Sequence, residues 1–153
     1  MSTIEQLLER DGMLVYRTRG TSMEPMLRQN RDIITVRVPS GRLKKYDVAL
    51  YRRGPDHVLH RVVGVEDGGY RIRGDNTYST EYVLEEDILG VLTEFRRKGQ
   101  TIRVSDPGYR CYTRIWCALY PVRYFRFCCR RAAARAARRT GLSAIVKRVI
   151  GRE

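Results

Sequence analysis

Between residues 13 and 104 the sequence consists of short runs rich in β-branched and aromatic residues, separated by turn-forming residues. This alternation constrains the fold most, because runs of about four to eight such residues fit strands and are too short for typical helices. Six or seven short strands predict a mainly β domain, folded as a small barrel or a folded sheet. The runs cover residues 13–19, 33–38, 47–52, 58–65, 70–73, 88–95 and 101–104.

A short helix is predicted before the first strand, over residues 3–10. Ile4, Leu7 and Leu8 share one face of that helix, and an Asp-Gly pair at 11–12 ends it.

The net charge of +13 is distributed unevenly along the chain. Residues 1–108 carry 18 basic and 16 acidic residues, whereas residues 109–153 carry 12 basic residues and one acidic residue. We therefore expect a nearly neutral β domain over 1–108 and a basic tail over 109–153. The aromatic, Arg-rich and Ala-rich sequence of 109–139 favours helix, divided near Pro121, and a last short helix is predicted over 142–150.

The basic tail also carries an apolar stripe, since Tyr112, Ile115, Trp116 and Leu119 have helical spacing among arginines. Such a helix is suited to the surface of an anionic membrane, which makes that surface the expected partner of 109–139. Two alternatives stay open: the stripe packs on the protein's own β domain, or the tail binds nucleic acid. Nucleic acid is the less favoured partner because no nucleic-acid-binding motif accompanies the charge.

The first residues of the sequence, its apolar stretches and its cysteines indicate where in the cell the protein is expected. The first residues lack the apolar run of a signal peptide, and no apolar stretch is long enough for a transmembrane helix, so we expect a cytoplasmic protein, peripheral on the inner face of the membrane. The four cysteines (Cys111, Cys117, Cys128 and Cys129) lie in the basic tail without paired CxxC spacing. Free thiols in a reducing compartment are therefore expected, with lipidation or a redox role of the cysteines as the alternatives. No metal or cofactor is expected.

Three clusters contain residues that could carry out chemistry. Ser22 lies on a turn two residues after Gly20, His60 lies in a strand run, and Asp75 follows a glycine. A neutral imidazole can remove a proton from a serine, and a carboxylate can orient that imidazole. Taken singly, each residue has an ordinary structural interpretation, which we prefer for His57.

In their order along the chain, these clusters resemble the catalytic domain of signal peptidase I, within the wider group of serine peptidases that includes the LexA-type self-cleaving repressors. Each motif is weak alone, and their common order makes the resemblance specific over residues 13–95. The matching segments are 22–27 (SMEPML), 31–36 (RDIITV), 45–51 (KYDVALY), 59–64 (LHRVVG), 73–76 (RGDN) and 88–91 (ILGV).

The resemblance implies a site in which Ser22 is the nucleophile and His60 is the base. Histidine is the base in one branch of the family, whereas lysine is the base in others. Asp75 is then the favoured carboxylate near His60, and a purely structural role for Asp75 stays open as the alternative. Glu81, six residues further on, is a second candidate at a position where the family usually has aspartate.

The sequence also departs from the family pattern. Gly20 stands where housekeeping members have a serine that helps to bind the oxyanion, so the backbone N–H of Ser22 would bind it, with Gly20, Thr21 and Met23 around it. Arg31 replaces the family's glycine, and we expect no N-terminal membrane anchor of the kind that signal peptidases have.

The expected function is a serine endopeptidase that cleaves an extended peptide, such as a leader or signal segment, through a Ser-His dyad with a supporting aspartate. The family's preference for small residues before the cut follows from the resemblance alone. The alternative is a catalytically degenerate module that binds extended peptides and is tethered to a membrane or partner by the basic tail. Self-cleavage is disfavoured because the base is not lysine and the residues before Ser22 are too few for a DNA-binding domain.

Overall fold

The computed structural model describes residues 3–139 and is mainly β, which confirms the predicted fold class. Eight strands form a curled, half-barrel sheet in the described part of the chain, and helices precede the first strand and follow the last strand in the sequence. The elements are α1 (Thr3–Asp11), β1 (Met13–Arg17), β2 (Ile33–Arg37), β3 (Val48–Arg53), β4 (Asp56–Glu66), β5 (Gly69–Arg73), β6 (Glu81–Leu84), β7 (Ile88–Arg97), β8 (Gln100–Arg103), α2 (Pro107–Ala118) and α3 (Tyr120–Arg139).

All strand pairs in the sheet are antiparallel, in the order β1-β2-β7-β3-β4-β5-β6, and β8 also pairs with β7. β3 and β4 form a hairpin in which Ala49 is opposite His60 and Tyr51 is opposite Val58. Opposite residues of an antiparallel pair share a face, so Tyr51 and His60 are diagonal neighbours on one face of the hairpin. This register sets the geometry of the candidate site.

The core is divided between the two faces of the sheet. Val48 and Leu50 belong to one buried cluster, and Ala49 and Tyr51 belong to the other, so consecutive residues of β3 alternate between them. α1 covers the first cluster through Leu8, and the β1–β2 connection covers it with three apolar side chains (Met23, Met26 and Leu27). The connection that carries Ser22 is therefore anchored in the core.

The first compact unit extends to Arg114, further than the predicted boundary after residue 108. α2 begins at Pro107, since proline is well tolerated in the first turn of a helix. Tyr109 and Thr113 on α2 are buried, and Arg61 donates hydrogen bonds to the hydroxyl groups of both. The first turns of α2 therefore belong to the β domain's core.

The second compact unit begins at Ile115. Residues 115–118 and 120–139 of this unit are helical, and the predicted division near Pro121 is confirmed, since α2 ends at Ala118 and α3 begins at Tyr120. Within this unit the guanidinium of Arg123 stacks on the ring of Trp116 at 3.8 Å from its centre. No helix among residues 3–139 is long and apolar enough to cross a membrane. The helix predicted over 142–150 lies outside the described residues.

Candidate active site

Ser22 and His60 line one cavity of the β domain, with a volume of about 630 Å³. The walls come from the β1–β2 connection, the β3–β4 hairpin and the segment that leads into β6. Glu81, at the start of β6, lines the same cavity. Three segments that are distant in sequence thus meet at one place.

The connection that carries Ser22 is closed at its base by Thr18 and Asp32. The Thr18 backbone N–H donates to the Asp32 carbonyl at 3.1 Å, and the Thr18 hydroxyl donates to the Arg28 carbonyl at 2.9 Å. The fully buried Asp32 carboxylate accepts the Arg28 N–H and pairs with the guanidinium of Arg31. Asp32, which matches the family's motif, therefore has a structural role, and Arg31 supplies its counter-charge.

Ser22 itself is half-buried at the cavity wall, next to the buried side chain of Met23. Gly20 has a positive φ of 80°, a conformation that glycine adopts without strain, and it lines the cavity with Ser22 and Met23. Thr21 is exposed, and its carbonyl accepts a hydrogen bond from the side-chain amide of Asn76 at 3.2 Å. The residues expected around the oxyanion are thus held by core packing on one side and by Asn76 on the other.

His60 lies on β4 with only 5 % of its surface exposed, and its Nδ1 is 3.2 Å from the hydroxyl of Tyr51. The Tyr51 hydroxyl donates to Oε2 of Glu81 at 3.0 Å. The other oxygen of Glu81, Oε1, is 3.1 Å from a guanidinium nitrogen of Arg53. A hydrogen-bonded chain therefore runs from His60 through Tyr51 to the carboxylate of Glu81.

The surroundings of His60 keep it neutral at neutral pH. Burial lowers the pKa of His60 below its ordinary value of 6.5 and outweighs the opposing effect of the Glu81 charge. The charge of Arg53 also lowers this pKa, and that of Asp75 raises it. A neutral imidazole has the lone pair that a general base needs.

Gly74 brings the backbone of Ser22 and the ring of His60 together. A Cβ at position 74 would lie 2.8 Å from the Ser22 carbonyl oxygen and 3.0 Å from Nε2 of His60. The Ser22 carbonyl oxygen and Nε2 of His60 are therefore separated by no more than the sum of these two distances. The next residue but one, Asn76, donates its backbone N–H to the same Ser22 carbonyl at 2.7 Å.

Asp75 forms a buried ion pair with Arg61, the residue that follows His60 on β4. Its two oxygens accept hydrogen bonds of 2.8 and 2.7 Å from the Arg61 guanidinium, and both residues are at most 5 % exposed. Arg61 also donates to the Tyr46 carbonyl at 3.0 Å and to the Tyr109 hydroxyl at 3.2 Å. The structure thus places Asp75 as the partner of Arg61, and its charge acts on the pKa of His60 as a smaller effect than that of Glu81.

Sequence reasoning missed Tyr51 and Gly74 as site residues. Both lie within segments that carry the resemblance, but the hydrogen bond between Tyr51 and His60 depends on the hairpin register, which the motif does not specify. His57, in contrast, lies 3.2 Å from a carboxylate oxygen of Glu5 on α1, which agrees with a structural role.

A scan against models of known protein families finds no match to this chain, and a search of curated proteins finds none either.

Proposed function

We propose that the protein is a serine endopeptidase of the signal-peptidase-like type, with Ser22 as nucleophile and His60 as general base. The observation that carries this proposal is the meeting of both residues at one cavity, with Gly74 packed against the Ser22 carbonyl and against Nε2 of His60. The lowered pKa of His60 is also suited to a base at neutral pH.

In the proposed reaction, Nε2 of His60 accepts the hydroxyl proton of Ser22 while Oγ of Ser22 attacks the carbonyl carbon of the scissile peptide bond. The backbone N–H of Ser22 and neighbouring amides stabilise the resulting oxyanion. His60 then gives its proton to the departing amine, which leaves an ester between Ser22 and the acyl part of the substrate. A water molecule, deprotonated by His60, hydrolyses this ester and restores the free hydroxyl.

The substrate class rests on the resemblance, which implies an extended peptide such as a leader or signal segment with small residues before the cut. The cavity is compatible with a peptide because its lining contains both apolar side chains, including Ile4 and Val58, and charged ones, including Arg19 and Asp56. Such a lining can hold side chains of both kinds along an extended chain.

The test compares protein N-termini by mass spectrometry in cells that make the wild-type protein, Ser22→Ala or His60→Ala. New N-termini that appear only with the wild type would identify a Ser/His peptidase together with its substrate and cut site. Ser40→Ala is the matched control, because Ser40 is exposed in the turn after β2 and does not line the cavity. This control should give the wild-type pattern.

The same N-termini in all strains, with the wild-type protein folded, would contradict peptidase activity. The outcome would instead favour the alternative of a peptide-binding module without turnover. A pattern lost equally in Ser40→Ala and Ser22→Ala would also contradict the assignment, since the loss would then not depend on the nucleophile.

A further inference from the structure

The hydroxyl group of Tyr51 lies between two polar groups of the site. Its oxygen is 3.2 Å from Nδ1 of His60 and 3.0 Å from Oε2 of Glu81. A phenol has one proton to donate, and an ionised carboxylate can only accept. Tyr51 therefore donates its proton to Glu81, and its oxygen is left to accept a hydrogen bond from His60.

The arrangement around this hydroxyl is rigid and nearly dry. Tyr51 is 1 % exposed, and the register of the β3–β4 hairpin fixes its position relative to His60. Arg53, two residues further along β3, holds the second oxygen of Glu81. Burial, the Glu81 charge and the hydrogen bond to Glu81 all raise the pKa of Tyr51, so the hydroxyl keeps its proton over the physiological range.

We propose that Tyr51 and Glu81 are positioning residues that hold neutral His60 with its proton on Nδ1 and its lone pair on Nε2, on the side of Gly74 and Ser22. The assignment of the proton follows from the donor and acceptor roles at Tyr51. Only its catalytic consequence rests on the proposed function. In that reaction, the Ser22 proton arrives at Nε2 while the Nδ1 proton stays in its hydrogen bond to Tyr51.

This arrangement differs from a carboxylate bonded directly to the histidine. The charge of Glu81 reaches the imidazolium through the Tyr51 hydroxyl, and no proton moves to Glu81. The tyrosine sets the tautomer and the glutamate supplies the charge that stabilises imidazolium. Separate substitutions can therefore separate the two effects.

The test is nitrogen NMR of ¹⁵N-labelled histidine side chains in the full chain, titrated with acid. The chain has two histidines, so a His57→Gln variant assigns the His60 signals. In the wild type, neutral His60 should carry its proton on Nδ1. In Tyr51→Phe that preference should shift toward Nε2–H, the tautomer that free imidazole favours, and the pKa of His60 should fall because an acceptor for the imidazolium is lost.

In Glu81→Gln, the pKa of His60 should also fall, because a negative charge that raises it is removed. The Nδ1–H tautomer should persist, because Tyr51 can still donate to the glutamine side-chain oxygen. The other charged groups that affect this pKa, Arg53 on β3 and Asp75 after β5, are left in place. Tyr82→Phe and Glu86→Gln, two exposed positions, are the matched controls and should leave tautomer and pKa unchanged.

A wild-type His60 with its proton on Nε2 would overturn the proposal, as would a Tyr51→Phe variant with unchanged tautomer and pKa. These readouts need no turnover, so they stand apart from the test of peptidase activity. If activity is found, Tyr51→Phe should lower kcat about 10- to 100-fold with little change in KM, less than the loss of about 10⁴-fold caused by a wrong tautomer in a directly bonded triad. A higher KM with an unchanged kcat would contradict a positioning role.

Discussion

At the residue scale, the candidate site depends on one glycine as much as on its reactive groups. The φ of Gly74 is not in the positive range that favours glycine. Glycine is needed at this position because a side chain would clash where the Ser22 carbonyl and the His60 ring approach each other. Real Cβ atoms do not come within 3.0 Å of a backbone oxygen, and the Ser22 carbonyl would be closer than that. A larger residue would therefore separate the two halves of the site.

We predict that Gly74→Ala lowers the cleavage rate of the substrate found by N-terminal mass spectrometry about 10²-fold, because a displacement of the nucleophile by about 1 Å has an effect of that order. Circular dichroism should still report a folded sheet. Gly41→Ala is the matched control, since a Cβ at position 41 would meet no atom within 4 Å. Equal rates for the two variants would show that this close approach does not matter for turnover.

The same scale marks the limit of sequence reasoning about the site. Ser22, His60 and Glu81 were predicted because each belongs to a short motif or to a fixed spacing from one, and all three line one cavity. Tyr51 was missed because its contact with His60 depends on which residues of β3 and β4 are opposite each other. Local composition contains no information on that register. The prediction for Asp75 did not include its ion pair with Arg61.

At the element scale, α3 has one face without charge. Val122, Phe125, Cys129, Ala132 and Ala136 follow helical spacing, and all are exposed, Phe125 to 69 % of its surface. Where the structure describes its side chains, the remaining surface of α3 carries five arginines, and the helix sequence contains no acidic residue (Arg123, Arg126, Arg130, Arg131 and Arg135). An exposed apolar face beside concentrated positive charge fits the expected anionic membrane surface better than nucleic acid, which offers no apolar layer.

We predict that the full chain binds vesicles containing phosphatidylglycerol and does not bind vesicles of phosphatidylcholine alone in a flotation assay. Replacing Arg126, Arg130 and Arg135 with glutamine should weaken binding about 10²-fold, since each basic residue near such a surface contributes about 1 kcal/mol. The control replaces the same number of basic residues in the β domain, namely Arg17, Arg37 and Lys98.

If both triple variants bind the vesicles equally weakly, then the net charge of the protein, and not α3 in particular, is responsible for vesicle binding. Binding to duplex DNA without binding to anionic vesicles would contradict the membrane expectation and favour nucleic acid as the partner.

The elements also differ in how well the sequence predicts them. Strands with dense β-branched composition, such as β2 and β4, were predicted within two residues of their ends. β6 was missed, because its four residues (EYVL) lie beside a run of acidic residues, and it is held by pairing with β5. A strand this short is stabilised by its neighbour more than by its own composition.

At the scale of the whole molecule, the Arg61–Asp75 pair joins three parts of the β domain. Arg61 lies on β4, Asp75 lies after β5, and the hydroxyl group of Tyr109 on α2 accepts a further hydrogen bond from Arg61. Removal of one partner from a buried ion pair leaves an uncompensated charge, which is far more costly than loss of an exposed pair.

We predict that Asp75→Asn lowers the free energy of unfolding by about 3–5 kcal/mol, because Arg61 would remain buried without its counter-charge. Urea denaturation followed by circular dichroism measures this change. Asp67→Asn, at an exposed turn, is the control and should change it by less than about 0.5 kcal/mol. Equal stabilities would contradict the structural role, and the role of Asp75 would then lie in the site alone.

Consecutive side chains of β4 point to opposite faces of the sheet, which directs His60 to the cavity and Arg61 to the core. This alternation limits where the gene for such a protein can gain or lose a codon. An inserted codon at the Gly54-Pro55 turn lengthens an exposed loop and leaves every strand partner in place. An inserted codon between Val58 and His60 would move the residues after it to the opposite faces of the strand, so the imidazole would leave the cavity and take the buried position of Arg61 beside Asp75. Length variation among descendants of this sequence should therefore collect at the hairpin turns and be absent from the middle of β4.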